Sequence, residues 1–185
     1  MAFTDEHKAK FDNLRVSLEI QNREQLKRTA NGGNSILFAY EPSEEILYLN
    51  KAREILDGNQ YHFIDIAKLL VQYIDMDGWE DFKAYYNDFL NTPHLVFSSD
   101  DEATDLMDLI INEIKSACDN NQIPVLIRTG VLYGTGIENL NIMEHPAVMT
   151  HKQPLIVFYP AKMQGDNLLF LNFKPASKYR CTVID

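Results

Sequence analysis

The chain has 185 residues, 45% hydrophobic and 24% charged, with a formal net charge of −10, which is the range of one soluble domain. A chain this long buries roughly 70% of its unfolded surface, so its core needs neither disulfide staples nor structural metal. No run reaches the ~18 apolar residues of a membrane-spanning helix, and the start Met-Ala-Phe-Thr-Asp-Glu lacks the basic flank and apolar stretch of a secretory signal, so the expectation is a cytoplasmic protein without membrane contact.

The charge is regional. Residues 41–120 carry 18 Asp+Glu against 5 Lys+Arg, whereas residues 151–185 carry 2 against 5. An acidic middle repels phosphate backbones, and no basic stripe interleaves with aromatics, which argues against direct nucleic-acid binding. The plain reading of the acidity is solvated helix faces; a basic protein partner is the functional alternative. Cys118 and Cys181 stand far apart without CxxC spacing and read as reduced, buried thiols.

In chain order, residues 5–29 predict a helix with Thr4 as N-cap, Phe11, Leu14 and Leu18 on one face and Asn31-Gly32-Gly33 as its stop. Ser35–Tyr40 reads as a buried strand. Pro42-Ser43 opens an acidic helix that ends at Gly58-Asn59, and a second strand follows at Tyr61–Asp65. Residues 66–119 predict a helical middle. In it Trp79, Phe82, Tyr85, Tyr86 and Phe89 recur at helical spacing and are expected to pack in the core. Ser99 and Glu102 match a capping box for the last helix of this block, whose stripe is Leu106, Leu109, Ile110, Ile114 and Ala117.

Ile123–Thr129 has the continuous apolar run of a strand covered on both faces. A short helix near 137–143 and strands at Pro154–Tyr159, Leu168–Leu171 and Tyr179–Ile184 complete the order. The fold class expected is a single three-layer α/β domain with a mixed, mainly parallel sheet that turns antiparallel at its C-terminal end.

Chemistry could sit on the loop Arg128, Thr129, Gly130, Val131, Leu132, Tyr133, Gly134, Thr135 and Gly136, which follows a strand and precedes a helix, where α/β proteins cradle phosphates. No Gly-Lys dipeptide or GxGxxG spacing accompanies it, so the plainer reading is a tight connection rich in glycine. The alternative is a nucleotide- or phosphate-binding enzyme with Arg128 as charge complement and Tyr133 as stacking surface. The five histidines form no HExxH or i, i+4 pair, so no metal site is implied. GxSxG is absent, and Ser98 and Ser99 read as helix caps. Asp65 closes the second strand, a position used for function and more commonly for capping the next helix. These residues imply no catalytic set and no cofactor.

The segments Pro154-Leu-Ile-Val-Phe-Tyr-Pro160, Asn167-Leu-Leu-Phe-Leu171 and Lys178-Tyr-Arg180 resemble the closing region of the BrxB family of bacterial BREX phage-defence systems, whose members end in P-L-V-x-F-Y-P-G, a leucine-rich strand and a Y-Y-R strand. Upstream, Ile127-Arg-Thr-Gly130-Val-Leu-Tyr133 is similar to the family's strand followed by T-G-V and an aromatic. Ile36-Leu-Phe-Ala-Tyr40-Glu-Pro42 is similar to its early strand ending in Y-x-P. The chain departs from the pattern at Gly136-Ile137-Glu138-Asn139, where the family tends to carry Pro-Phe-x-Arg, and at Ala161-Lys162-Met163, where it carries a glycine and an acidic residue. The resemblance implies a non-enzymatic accessory protein of a defence island that includes a DNA methyltransferase, a large ATPase and a PglZ-type protein, the last being the expected partner. Asp100, Asp101 and Glu102, within the acidic region, are the candidate partner-binding residues.

Overall fold

The computed structural model describes residues 3–19, 22–99 and 103–185. Five parallel strands lie in the order β2-β3-β4-β1-β7. They are β1 Ser35–Tyr40, β2 Tyr61–Asp65, β3 Ile123–Ile127, β4 Leu155–Gln164 and β7 Cys181–Ile184. The far half of β4 pairs antiparallel with β5 Asn167–Phe170, which pairs with β6 Lys174–Ala176. The expected antiparallel ending therefore holds for β5 and β6 but not for β7, which runs parallel to β1 with Ser35 opposite Cys181. The hairpin turns the chain back, so β7 re-enters in the direction of β1.

Helices cover both faces. On one side lie α1 Asp5–Leu18, α2 Arg23–Thr29 and α3 Glu45–Ile55, over a core that takes Ile36, Phe38 and Tyr40 from β1 and Ile156 and Phe158 from β4. On the other lie α4 Ile66–Asp77, α6 Leu106–Asp119, α7 Asn139–Met143 and α8 Pro146–Thr150, over Leu37, Ala39, Leu126, Val157 and Tyr159. Alternate residues of each central strand feed opposite cores, which is why β1 and β3 are buried throughout and read as unbroken apolar runs. The β1-to-β2 connection crosses the α3 face in one direction. The returns from β2 to β3 and β4 cross the opposite face in the other, so these crossovers share one hand.

Two helix boundaries differ from expectation. Thr4 caps α1 as predicted, with its backbone N–H on His7 Nδ1 at 3.0 Å. The helix stops at Leu18, where Glu19 turns extended, and a separate α2 follows. The last helix of the middle block starts at Leu106, not after Ser99: Asp105 accepts from the Asp108 N–H at 2.8 Å, and Asp108 reaches back to the Asp105 N–H. Two carboxylates three apart form the same reciprocal cap as Ser and Glu. Ser98 instead closes a 3-10 turn at Pro93–Phe97.

The aromatic helix is the larger correction. It is α5, Trp79–Asp88, and Phe82 is its only buried residue; Trp79 is 57% exposed and Tyr85 48%. It sits outside α4, against the 93–97 turn, and reaches neither core. Both cysteines are free and buried, and burial pushes the Cys118 thiol up to about 11 and that of Cys181 to about 12. No helix among the described residues is long and apolar enough to cross a membrane.

Candidate functional site

The direction of the crossovers reverses beside β1, and in such sheets the carboxyl ends of the strands leave a crevice there. Here a crevice of about 350 Å³ is lined by Pro42 and Glu45 after β1, Ala67 after β2, Arg128, Gly130 and Val131 after β3, and Pro160 and Leu171. The ends of β1, β2, β3 and β4 thus contribute to one place.

Its ionic groups are two carboxylates, Asp65 and Glu45, and one guanidinium, Arg128. Arg128, the residue after β3, adopts a left-handed backbone with φ of 56°, a conformation uncommon for a side-chain-bearing residue. Its guanidinium grips Asp65 at the end of β2: Nε donates to Oδ1 at 2.8 Å and Nη2 donates to Oδ2. Asp65 also accepts from the Lys68 N–H at 3.4 Å and so caps α4. Burial would raise the Asp65 carboxyl, but the hydrogen bonds and charge of Arg128, with help from Lys68, outweigh it and hold the group below its usual value. Next to it Tyr40 donates to Glu45 Oε2 at 2.7 Å, and burial, then Glu45, raises the phenol. An anion entering here would compete with Asp65 for Arg128 and would meet Glu45.

Of the loop residues singled out from sequence, Arg128, Gly130 and Val131 line the crevice, and Thr129 is buried, its hydroxyl donated to the Phe158 carbonyl at 2.7 Å. Tyr133, Gly134 and Gly136 do not line it. The Tyr133 ring packs edge-on against Phe173 at 5.5 Å. Gly134 and Gly136 hold left-handed turns at φ of 88° and 82°, where glycine is favoured over any side chain. Glu138, the acidic departure from the family pattern, caps α7 and pairs with Lys174 at 3.1 Å. Asp100, Asp101 and Glu102 lie outside the described residues.

A second crevice of about 410 Å³ opens on the α1 side of the same edge, lined by His7, Lys10, Glu41, Glu44, Tyr48 and Asp185 among others. His7 Nε2 stands 3.4 Å from Glu44 Oε2. Because Nδ1 accepts the Thr4 N–H, the ring proton belongs on Nε2, facing Glu44. Burial lowers Lys10 against the pull of Asp185, Glu6 and Glu44, and burial followed by Glu44 and Glu6 pushes Tyr48 up to about 12. Sequence reasoning missed Glu45, Pro160 and this second group; the strand-end rule applied to β1 and β4 would have flagged the first two. Among the described residues no cluster of three or more His, Cys, Asp or Glu is placed to hold a metal ion.

Comparison with family models, with curated proteins and with solved structures finds no match.

Proposed function

We propose that the protein is a non-enzymatic accessory component of a BREX phage-defence system, working in the cytoplasm as an adaptor that binds a larger partner of the PglZ type. The observation that carries the reading is where the BrxB-like segments lie. Ile36–Pro42 and Pro154–Pro160 carry most of β1 and the first half of β4, and Ile127–Tyr133 runs from the last residue of β3 into the loop after it; all three segments reach one crevice, lined by Pro42, Arg128, Gly130, Val131 and Pro160. Of the charged groups there, Arg128 is engaged by Asp65 and Glu45 by the Tyr40 hydroxyl, an arrangement that suits a recognition surface better than a reaction centre.

Co-purification of the tagged chain from a host carrying the neighbouring genes tests this. The PglZ-type component is the expected capture, and neighbours unrelated to phage defence would overturn the reading. The rival is a nucleotide-binding enzyme using residues 129–136. A nucleotide at 100 times its dissociation constant would add about 2.7 kcal/mol of stability; the adaptor reading expects no thermal shift with ATP, GTP or dinucleotides.

A further inference from the structure

The outer edge of the helical middle carries apolar surface that the fold leaves open. Met76 at the end of α4, Tyr85 on α5 and Leu95 in the 93–97 turn are all exposed, and Tyr85 packs on Phe89 with ring centroids 4.8 Å apart. Between them runs a groove of about 440 Å³, which Tyr73 and Asp77 also line and which Ser98, Ser99 and Thr104 make polar along one wall. Tyr73 and Val96, which line the groove, are tied together by the Tyr73 hydroxyl donating to the Val96 carbonyl at 2.7 Å, and Phe82 packs on Tyr73 and Phe97 at 6.3 and 6.0 Å.

Charge says which partner. Residues 73–90 hold five acids, Asp75, Asp77, Glu80, Asp81 and Asp88, against Lys83. The field reaches the groove itself, since Tyr73 is raised by burial and then by the charges of Asp105 and Asp77. A second copy set face to face would oppose acid to acid, and an anionic lipid surface or a nucleic acid would be repelled likewise. Aliphatic anchors flanked by Lys or Arg satisfy both features, and one face of an amphipathic helix presents them at i, i+3, i+4 and i+7.

We propose that this groove docks a Lys/Arg-rich amphipathic helix of a protein partner. The proposal rests on the adaptor reading for who the partner is, and on the groove alone for the partner's chemistry.

The probe is a dye-labelled 18-residue peptide of leucine and lysine patterned as an amphipathic helix, followed by anisotropy. Its controls are a scrambled peptide of the same composition and a leucine/glutamate peptide of the same pattern. Saturable binding of the patterned lysine peptide alone is expected, weakening as salt rises. Tyr85→Ser and Asp77→Lys, each checked for an unchanged melting temperature, should weaken it about tenfold, equivalent to about 1.4 kcal/mol. Equal binding of the scrambled peptide, wild-type affinity in both variants, or a dimer that occupies the groove and resists the peptide would overturn the proposal. In co-purification the two readings separate. If the variants capture the PglZ-type component as well as the parent does, the groove proposal fails and the adaptor reading stands. If the parent captures no defence component, the adaptor reading fails while the peptide result stands.

Discussion

On the α1/α3 side of the sheet, Phe11, Phe38, Tyr40, Tyr48 and Phe158 are buried and form a ring cluster, with Phe38 and Phe158 only 4.8 Å apart. On α5 and just after it, Trp79, Phe82, Tyr85, Tyr86 and Phe89 are as many rings and recur at helical spacing, yet Phe82 alone is buried. Local periodicity places rings on a shared face; burial requires a second layer over that face. The α1/α3 rings are sandwiched between helices and a central sheet. The α5 rings face a single neighbouring helix and a five-residue turn, so the molecule combines a sheet core with an attached outer flap.

The sharpest way to break this contrast is to remove one ring from each side. Phe158→Ala leaves a cavity among the rings of Phe11, Phe38 and Tyr40 and should cost about 3–5 kcal/mol in denaturant unfolding. Trp79→Ala should stay within about 0.5 kcal/mol. Comparable losses would mean that α5 belongs to the core after all. Phe82→Ala refines the test, because it should loosen α5 locally, with faster amide exchange over 79–97 and much smaller changes in β1 and β4.

The second test acts where the core hands over to α4. Asp65→Asn keeps a capping group but gives up the charge gripped by Arg128, and should cost about 1–3 kcal/mol at pH 7. The folded carboxyl is held below its ordinary value. Its contribution is therefore fully present above the unfolded value of about 3.9 and is lost as pH falls through the lowered folded value. Parent and variant stabilities should converge at low pH. A gap that stays constant from pH 7 to pH 2 would show that the pair contributes packing and not charge.

What could be read from the chain follows the same division. The apolar runs of β1 and β3 made these central strands legible, because a strand covered on both faces leaves a continuous local signal, and the flanking turn residues marked the edge strand β2. The α6 cap was placed six residues early because Ser99-x-x-Glu102 and Asp105-x-x-Asp108 both fit the reciprocal pattern, and only the start of the helix decides between them. The direction of β7 depends on the β5–β6 hairpin, and the Arg128–Asp65 pair joins residues 63 apart. Both are products of topology, and no window of local sequence contains them. Asp65 was nonetheless visible as a strand-end carboxylate, and its capping of α4 is the commoner of the two uses weighed for it.

The smallest effect tests how the flap is tied down. The loop after β3 touches the outer layer at Gly136, where an added Cβ would come within 3.2 Å of His94 Cβ in the 93–97 turn, whereas at Gly134 a Cβ would meet nothing within 4 Å. Both glycines have positive φ, so alanine at either costs about 1 kcal/mol or somewhat more in backbone strain. Gly134→Ala therefore serves as the control. Any excess in Gly136→Ala measures the push on His94, and that push should travel into the turn that carries Leu95 and Val96. Gly136→Ala is expected to melt slightly below Gly134→Ala and to raise amide exchange selectively over 93–97. Identical melting and exchange in the two variants would mean that the flap is held by Tyr73 and Phe82 alone and that the glycine loop only turns the chain.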